Sequence, residues 1–103
     1  MDQQRVGIEE VNRFLKSCEN LGLSVEHAWL FGSYATNKMH EHSDIDVVLV
    51  SSQFSGNPFK DIDLYVKANI HYPDIEVHPY SLIQFQSGTA FLNEIKPTAI
   101  RLR

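Results

Sequence analysis

The stretch LFGSYATNKMHEHSDIDVVLV gathers the side chains of this sequence best suited to chemistry. Gly32-Ser33 is followed by ten residues and then by Asp44-Ile45-Asp46. Two acids separated by one residue at the start of a strand point to the same face, with roughly 6–7 Å between their α-carbons. Carboxylates so placed can share one or two Mg²⁺ ions, hard cations that take oxygen ligands and fill their remaining positions with substrate phosphates. Gly32 lets backbone come close to a phosphate, and Ser33 adds a hydroxyl donor where the following helical turn presents free N–H groups. The acids thus meet a triphosphate through metal, while a small uncharged bend receives its far end. From average residue usage, the four fixed positions coincide by chance about once in 10⁵ starting points.

Other polar residues are weighed against this cluster. Glu76 lies in the run IEVHPYS, with Ile75 and Val77 on the opposite side of a strand. An acid there needs solvent or a partner, because an unpaired buried charge is too costly; a half-exposed edge strand accounts for it equally well. Asp74 shares its parity but directly follows Pro73 and reads as a turn. A second Asp-x-Asp, Asp61-Ile62-Asp63, has no Gly-Ser pair before it at suitable spacing and sits in a helical pattern. Residues two apart on a helix diverge by about 200°, so these acids do not converge on one ion, and Asp61 serves the macrodipole of a helix start. His40 and His42 flank Glu41 with the spacing of a transition-metal pair, which is also that of ordinary solvated loop residues. His78 shares the strand face of Glu76, within reach of a substrate or a proton, without a catalytic assignment. Lys38 and Lys67 read as surface lysines. His27 reads as a strand residue with a local hydrogen bond, Trp29 and Phe31 as core, and Cys18 as a small buried hydrophobe.

These residues must be positioned by the elements around them. Ile8, Val11, Leu15 and Cys18 recur at helical steps, predicting a helix over 7–20 with Gly22 just past its end. Alternation over 24–31 predicts a strand, the Gly32-Ser33 turn opens a short helical stretch near 34–39, and IDVVLV over 45–50 has the composition of a central strand buried on both faces. Asn57-Pro58 starts a further helix, with Phe59, Ile62, Val66 and Ile70 at helical spacing and Tyr65 beside them. Residues 75–80 form a third strand, Ser81 caps a short turn, and residues 89–96 form a last helix with Phe91, Leu92 and Ile95 inward. Residues 99–102 add a short edge strand. The fold class is α+β: a mixed sheet of three to four strands with helices packed on it.

Composition bounds the reading. The 103 residues carry 9 Lys and Arg against 13 Asp and Glu, a formal charge of −4, with 43% hydrophobic residues. That is a globular mix with one core, and its mild acidity speaks against direct nucleic-acid binding. No apolar run approaches the roughly 20 residues of a membrane span, and the polar start MDQQRVGIEE does not fit a signal peptide. One cysteine excludes an internal disulfide, and a cytoplasmic setting is expected.

Gly32-Ser33-x₁₀-Asp44-x-Asp46 resembles the signature of the DNA polymerase beta-like nucleotidyltransferase superfamily, and the chain is similar to its minimal, MNT-type members. The likeness runs from about Trp29 to the end, FLNEIKPTAIRL included, and the first helix adds little to it. The resemblance implies a single minimal nucleotidyltransferase domain over residues 1–103 with a palm-like sheet. It implies a third carboxylate on a neighbouring strand, matched here by Glu76 where many relatives carry Asp, and so a metal set of Asp44, Asp46 and Glu76. The implied reaction uses two Mg²⁺ ions and moves a nucleoside monophosphate, AMP from ATP, onto an acceptor hydroxyl with release of pyrophosphate. Gly32 and Ser33 would hold the β/γ-phosphates, and Glu76 would help deprotonate the acceptor. Minimal members pair with a helical HEPN-domain protein in prokaryotic toxin–antitoxin systems and attach AMP to a toxin tyrosine, so the resemblance implies such a partner. Two other readings stay open: an antitoxin that acts by contact alone, and an antibiotic-type transferase acting on a small molecule.

Overall fold

The apolar periodicities of this chain sort its side chains onto two faces of one sheet, and the two faces end differently. The computed structural model describes residues 2–103. In chain order the elements are α1 (Gln3–Asn20), β1 (His27–Phe31), a 3-10 turn (Gly32–Tyr34), β2 (Ile45–Ser51), α2 (Pro58–Asp61), a second 3-10 turn (Ile62–Leu64), α3 (Val66–Asn69), β3 (Ile75–Ser81), α4 (Leu82–Ser87), α5 (Ala90–Ile95) and β4 (Ile100–Arg101). The four strands lie in the order β3-β2-β1-β4, with β1 antiparallel to both neighbours and β2 parallel to β3. This is the expected α+β mixed sheet, with the short last strand included.

β2 is buried along its whole length except at Asp46, as its β-branched composition requires. On one face Ile45, Val47 and Leu49 join Ala28, Leu30 and Ile75 beneath α1, whose Val11, Phe14, Leu15 and Cys18 are fully buried. Each large apolar side chain withdrawn in this way contributes about 1.5–3 kcal/mol. On the other face Phe31, Val48, Val50 and Leu92 form a second cluster, flanked by Trp29, Tyr80, Phe85 and Phe91. Asp46 has the parity of this second face. Thr89 caps α5 through a bond from Leu92 N at 3.1 Å, and Ser81 with Gln84 forms a reciprocal cap for α4.

Several elements depart from the sequence expectation. The first helix starts at Gln3, four residues before Gly7, because Asp2 accepts from Gln4 N at 3.0 Å and caps it. Gly7 is interior and makes room for an aromatic ring, since a Cβ there would lie 2.5 Å from Tyr34 Cδ1. Gln4 Nε2 donates to the carbonyls of Tyr34 and Ala35 at 2.8 and 3.2 Å. Helix α1 therefore clamps the turn that carries Gly32 and Ser33. That turn does not continue as a helix to 39: Thr36 Oγ1 donates back to Gly32 O at 3.2 Å, and Asn37 takes a left-handed φ of 58°. The first strand begins at His27, three residues later than expected.

The segment after Asn57 differs most. Asn57 accepts from Phe59 N at 3.0 Å and Pro58 holds the first helical position, as expected, but the helix is broken into three short pieces. Phe59 is 90% exposed, and Ile62 and Ile70 face out as well. The buried stripe is Asp61, Tyr65 and Ala68. The Asp61 carboxylate accepts from Ser55 N at 2.7 Å, Ser55 Oγ at 2.9 Å and Gly56 N at 3.1 Å. Those bonds turn its side of the helix inward, so Asp61 anchors a loop as well as standing in a first helical turn. Among the described residues no helix is long and apolar enough to cross a membrane.

Candidate active site

The parallel register of β2 and β3 sets Asp46 beside Glu76 and Val48 beside His78. Across β2 the antiparallel register sets Phe31 opposite Asp46. Residues in register share a face of the sheet, so two carboxylates and an imidazole project from one side where β2 begins. His78 Nε2 lies 3.8 Å from Asp46 Oδ1 and 3.9 Å from Glu76 Oε1. One ligand atom from each of the three residues lies within 4.8 Å of the others. A divalent ion with bonds of about 2.0–2.2 Å closes such a spacing with small side-chain rotations.

Gly32 completes one side of this group. Its φ is +74°, a conformation that favours glycine, and a Cβ built on it would meet Asp46 Oδ2 at 2.5 Å. The Gly-Ser turn and the second acid of the motif are therefore in direct contact. Ser33 follows, half-buried, its carbonyl accepting from Lys38 N at 2.8 Å. Asp44 is exposed and precedes β2, outside the group of three, but its charge is felt by Asp46.

The electrostatics follow from crowding. Burial, then neighbouring Glu76, then Asp44 push the Asp46 carboxyl up to about 6. Burial pulls His78 below its ordinary value, against the opposing pull of Glu76. The His78 ring packs edge-on to Phe31 at 4.9 Å and stacks on Phe91 at 6.0 Å, and its buried Nε2 has no hydrogen-bond partner among the described residues. His78 is the residue that sequence reasoning left unassigned; its parity with Glu76 was the available signal.

The remaining candidates stay outside. His40 is exposed, its backbone N–H bonded to Ser43 Oγ at 2.8 Å, and His42 is exposed as well. The Asp74 carbonyl accepts from Ile45 N at 2.8 Å, in keeping with a turn. Asp61 and Asp63 lie away on α2 and the turn after it. His27 stacks on Phe85 at 4.5 Å, an aromatic neighbour in place of the expected hydrogen bond. Cys18 is buried, which pushes its thiol up to about 11 and leaves it inert.

Residues 11–98 match the sequence family described as nucleotidyltransferase domain. The chain belongs to that family. The match begins inside α1, so the first helix shares in a likeness that sequence reading had placed from Trp29 onward. Family membership implies the use of a nucleotide and a divalent metal. No curated protein sequence matches the chain. Among solved structures, a protein of Sulfolobus solfataricus assigned as a nucleotidyltransferase superposes with a TM-score of 0.70 at 14% identity, covering 95% of this chain and 80% of that one. A toxin–antitoxin complex crystallised with AMP-PNP gives 0.60 at 19% identity, covering 93% and 72%. A complex of tri-AMPylated Shewanella oneidensis HEPN toxin with an MNT antitoxin gives 0.54 at 18% identity, covering 97% and 71%. At these identities the likeness is one of fold, and the fold is that of a nucleotidyltransferase.

Proposed function

We propose that this nucleotidyltransferase uses Mg²⁺ and ATP to place AMP on a hydroxyl of a helical HEPN-family partner in the cytoplasm, restraining that partner's toxicity. Residues 1–103 act as one minimal domain in this reading. The observation that carries it is the parallel register that sets Asp46 beside Glu76, with Gly32 against the Asp46 carboxylate. Asp44, Asp46 and Glu76 would hold two divalent ions, and the acid crowding that pushes Asp46 up is what a cation relieves. Such ions, when bound, neutralise the triphosphate and polarise the acceptor oxygen.

The chain's own groups do the rest. The open backbone at Gly32 and the Ser33 hydroxyl orient the β/γ-phosphates. Glu76, whose side chain is 56% exposed against 24% for Asp46, lies on the side open to an acceptor and takes the proton of its hydroxyl. The acceptor oxygen bonds to the α-phosphorus, the bond from that phosphorus to the bridging oxygen breaks, and pyrophosphate leaves with the electron pair. Positioning and charge neutralisation supply most of the rate, which suits a small scaffold. Structures of the same fold with AMP-PNP and with an AMPylated HEPN toxin support the choice of nucleotide and partner.

The test is incubation with Mg²⁺, ATP labelled at the α-phosphate and a purified HEPN-family protein from the same source as the chain. Label is expected on the partner with the native chain and not with Asp46→Asn. Inhibition of the partner without label, unchanged in Asp46→Asn, would replace transfer by neutralisation through contact. Label on an antibiotic hydroxyl and none on the partner would make the chain a small-molecule transferase.

A further inference from the structure

We propose that His78 is a ligand of the Asp46–Glu76 metal centre through Nε2, and that it turns the centre toward divalent ions that accept nitrogen, Mn²⁺ before Mg²⁺. The inference rests on the reading of Asp46 and Glu76 as metal-binding residues. Three observations carry it. First, the position is built into the strands: Glu76 and His78 are two apart on β3 and share a face, and the register with β2 brings Asp46 to the same point. Second, the Nε2 separations of 3.8 and 3.9 Å from the two carboxylates are too long for hydrogen bonds. They leave room between the atoms for an ion that small side-chain rotations would let both bind. Third, Nε2 is buried with no hydrogen-bond partner among the described residues, a condition that native proteins keep rare. The ring is gripped by Phe31 edge-on and by Phe91 in a stack, so the orphaned nitrogen is held beside the acids.

The chemical consequence follows from the donor set. Mg²⁺ favours an all-oxygen, near-octahedral shell and gives up water reluctantly, whereas imidazole suits transition ions. Replacing one oxygen position with a fixed nitrogen therefore penalises Mg²⁺ relative to Mn²⁺. The acids alone would make that distinction more weakly.

The experiment is pulsed electron paramagnetic resonance of Mn²⁺ on the full chain, with calorimetric titration of Mn²⁺ and Mg²⁺. The native chain is expected to show ¹⁴N coupling from a directly bound imidazole, and His78→Gln to lose it. The preference for Mn²⁺ over Mg²⁺ should fall at least about tenfold in His78→Gln, while Asp46→Asn loses tight Mn²⁺ uptake. Mn²⁺ that depends on Asp46 but shows no nitrogen coupling overturns the His78 assignment and leaves the acidic site standing. Coupling that persists in His78→Gln points to another histidine and overturns it equally. Coupling lost with an unchanged metal preference overturns the selectivity. Mn²⁺ uptake indifferent to Asp46→Asn overturns the reading of the site itself. A native spectrum without nitrogen coupling overturns the assignment before any variant is made, and His78→Asn stands in where His78→Gln fails to fold.

Discussion

The chain contains the tripeptide Asp-Ile-Asp twice, at 44–46 and at 61–63, and the two copies have opposite fates. Asp61 is 3% exposed and receives three hydrogen bonds from Ser55 and Gly56. Its charge is consumed in tying a loop to a helix. Asp46 is half-buried beside Glu76, with Asp44 nearby, so its neighbours repel the charge it would carry. The first arrangement is complete without a ligand, and the second, in the proposed reading, becomes favourable when a cation enters. Identical residues thus become an anchor or a site according to whether donors or other acids surround them.

Substitution should separate the two copies cleanly. The largest effect is expected from Asp46→Asn, which should lower transfer on the order of 10³-fold or more without weakening the metal-free fold. Asp61→Ala should do the reverse, costing about 2–4 kcal/mol in urea unfolding because buried donors at Ser55 and Gly56 lose their acceptor, with transfer by the folded fraction nearly unchanged. Next comes Gly32→Ala, expected to cost about 1–3 kcal/mol through its positive φ and to slow transfer as well, because its Cβ would press on the Asp46 carboxylate.

The smallest effect is a pH dependence. The raised Asp46 carboxyl means that the folded chain holds a proton more tightly than the unfolded chain does. Its contribution to stability is complete below the ordinary carboxylate value, about 3.9, and is lost as pH rises through about 6. The melting temperature of metal-free Asp46→Asn minus that of the native chain should therefore grow from about pH 4 to pH 7. Adding Mn²⁺ at pH 7 should shrink the difference. A difference that stays flat with pH would mean that Asp46 is not crowded.

Much of this contrast was legible in the residues. The Gly32-Ser33 to Asp46 spacing, the β-branched run of β2 and the parity of Glu76 all pointed to one face of one sheet, and helical spacing already set Asp61 and Asp63 apart. Two things were hidden. The parallel register that aligns Asp46 with Glu76 and brings His78 to both is a tertiary fact; single-strand parity says which face a residue takes but not what lies beside it. The inward face of residues 57–70 was legible only at Tyr65, because Phe59, Ile62, Val66 and Ile70 carry the hydropathy signal, whereas the buried stripe of Asp61, Tyr65 and Ala68 begins with a charge. Three hydrogen bonds outweighed the apolar pattern there. Gly7 misled for a related reason: it reads as a helix start, but its role is to admit the Tyr34 ring.

The central claim is that the crowded acids, and not the satisfied ones, hold the metal and the nucleotide. Its most direct test is a crystal structure with Mn²⁺ and a non-hydrolysable ATP analogue, with the metal located by anomalous diffraction. The account predicts anomalous density within bonding distance of both Asp46 and Glu76, with the triphosphate running toward Gly32 and Ser33. Density that avoids Asp46, or a nucleotide seated elsewhere on the chain, would contradict it.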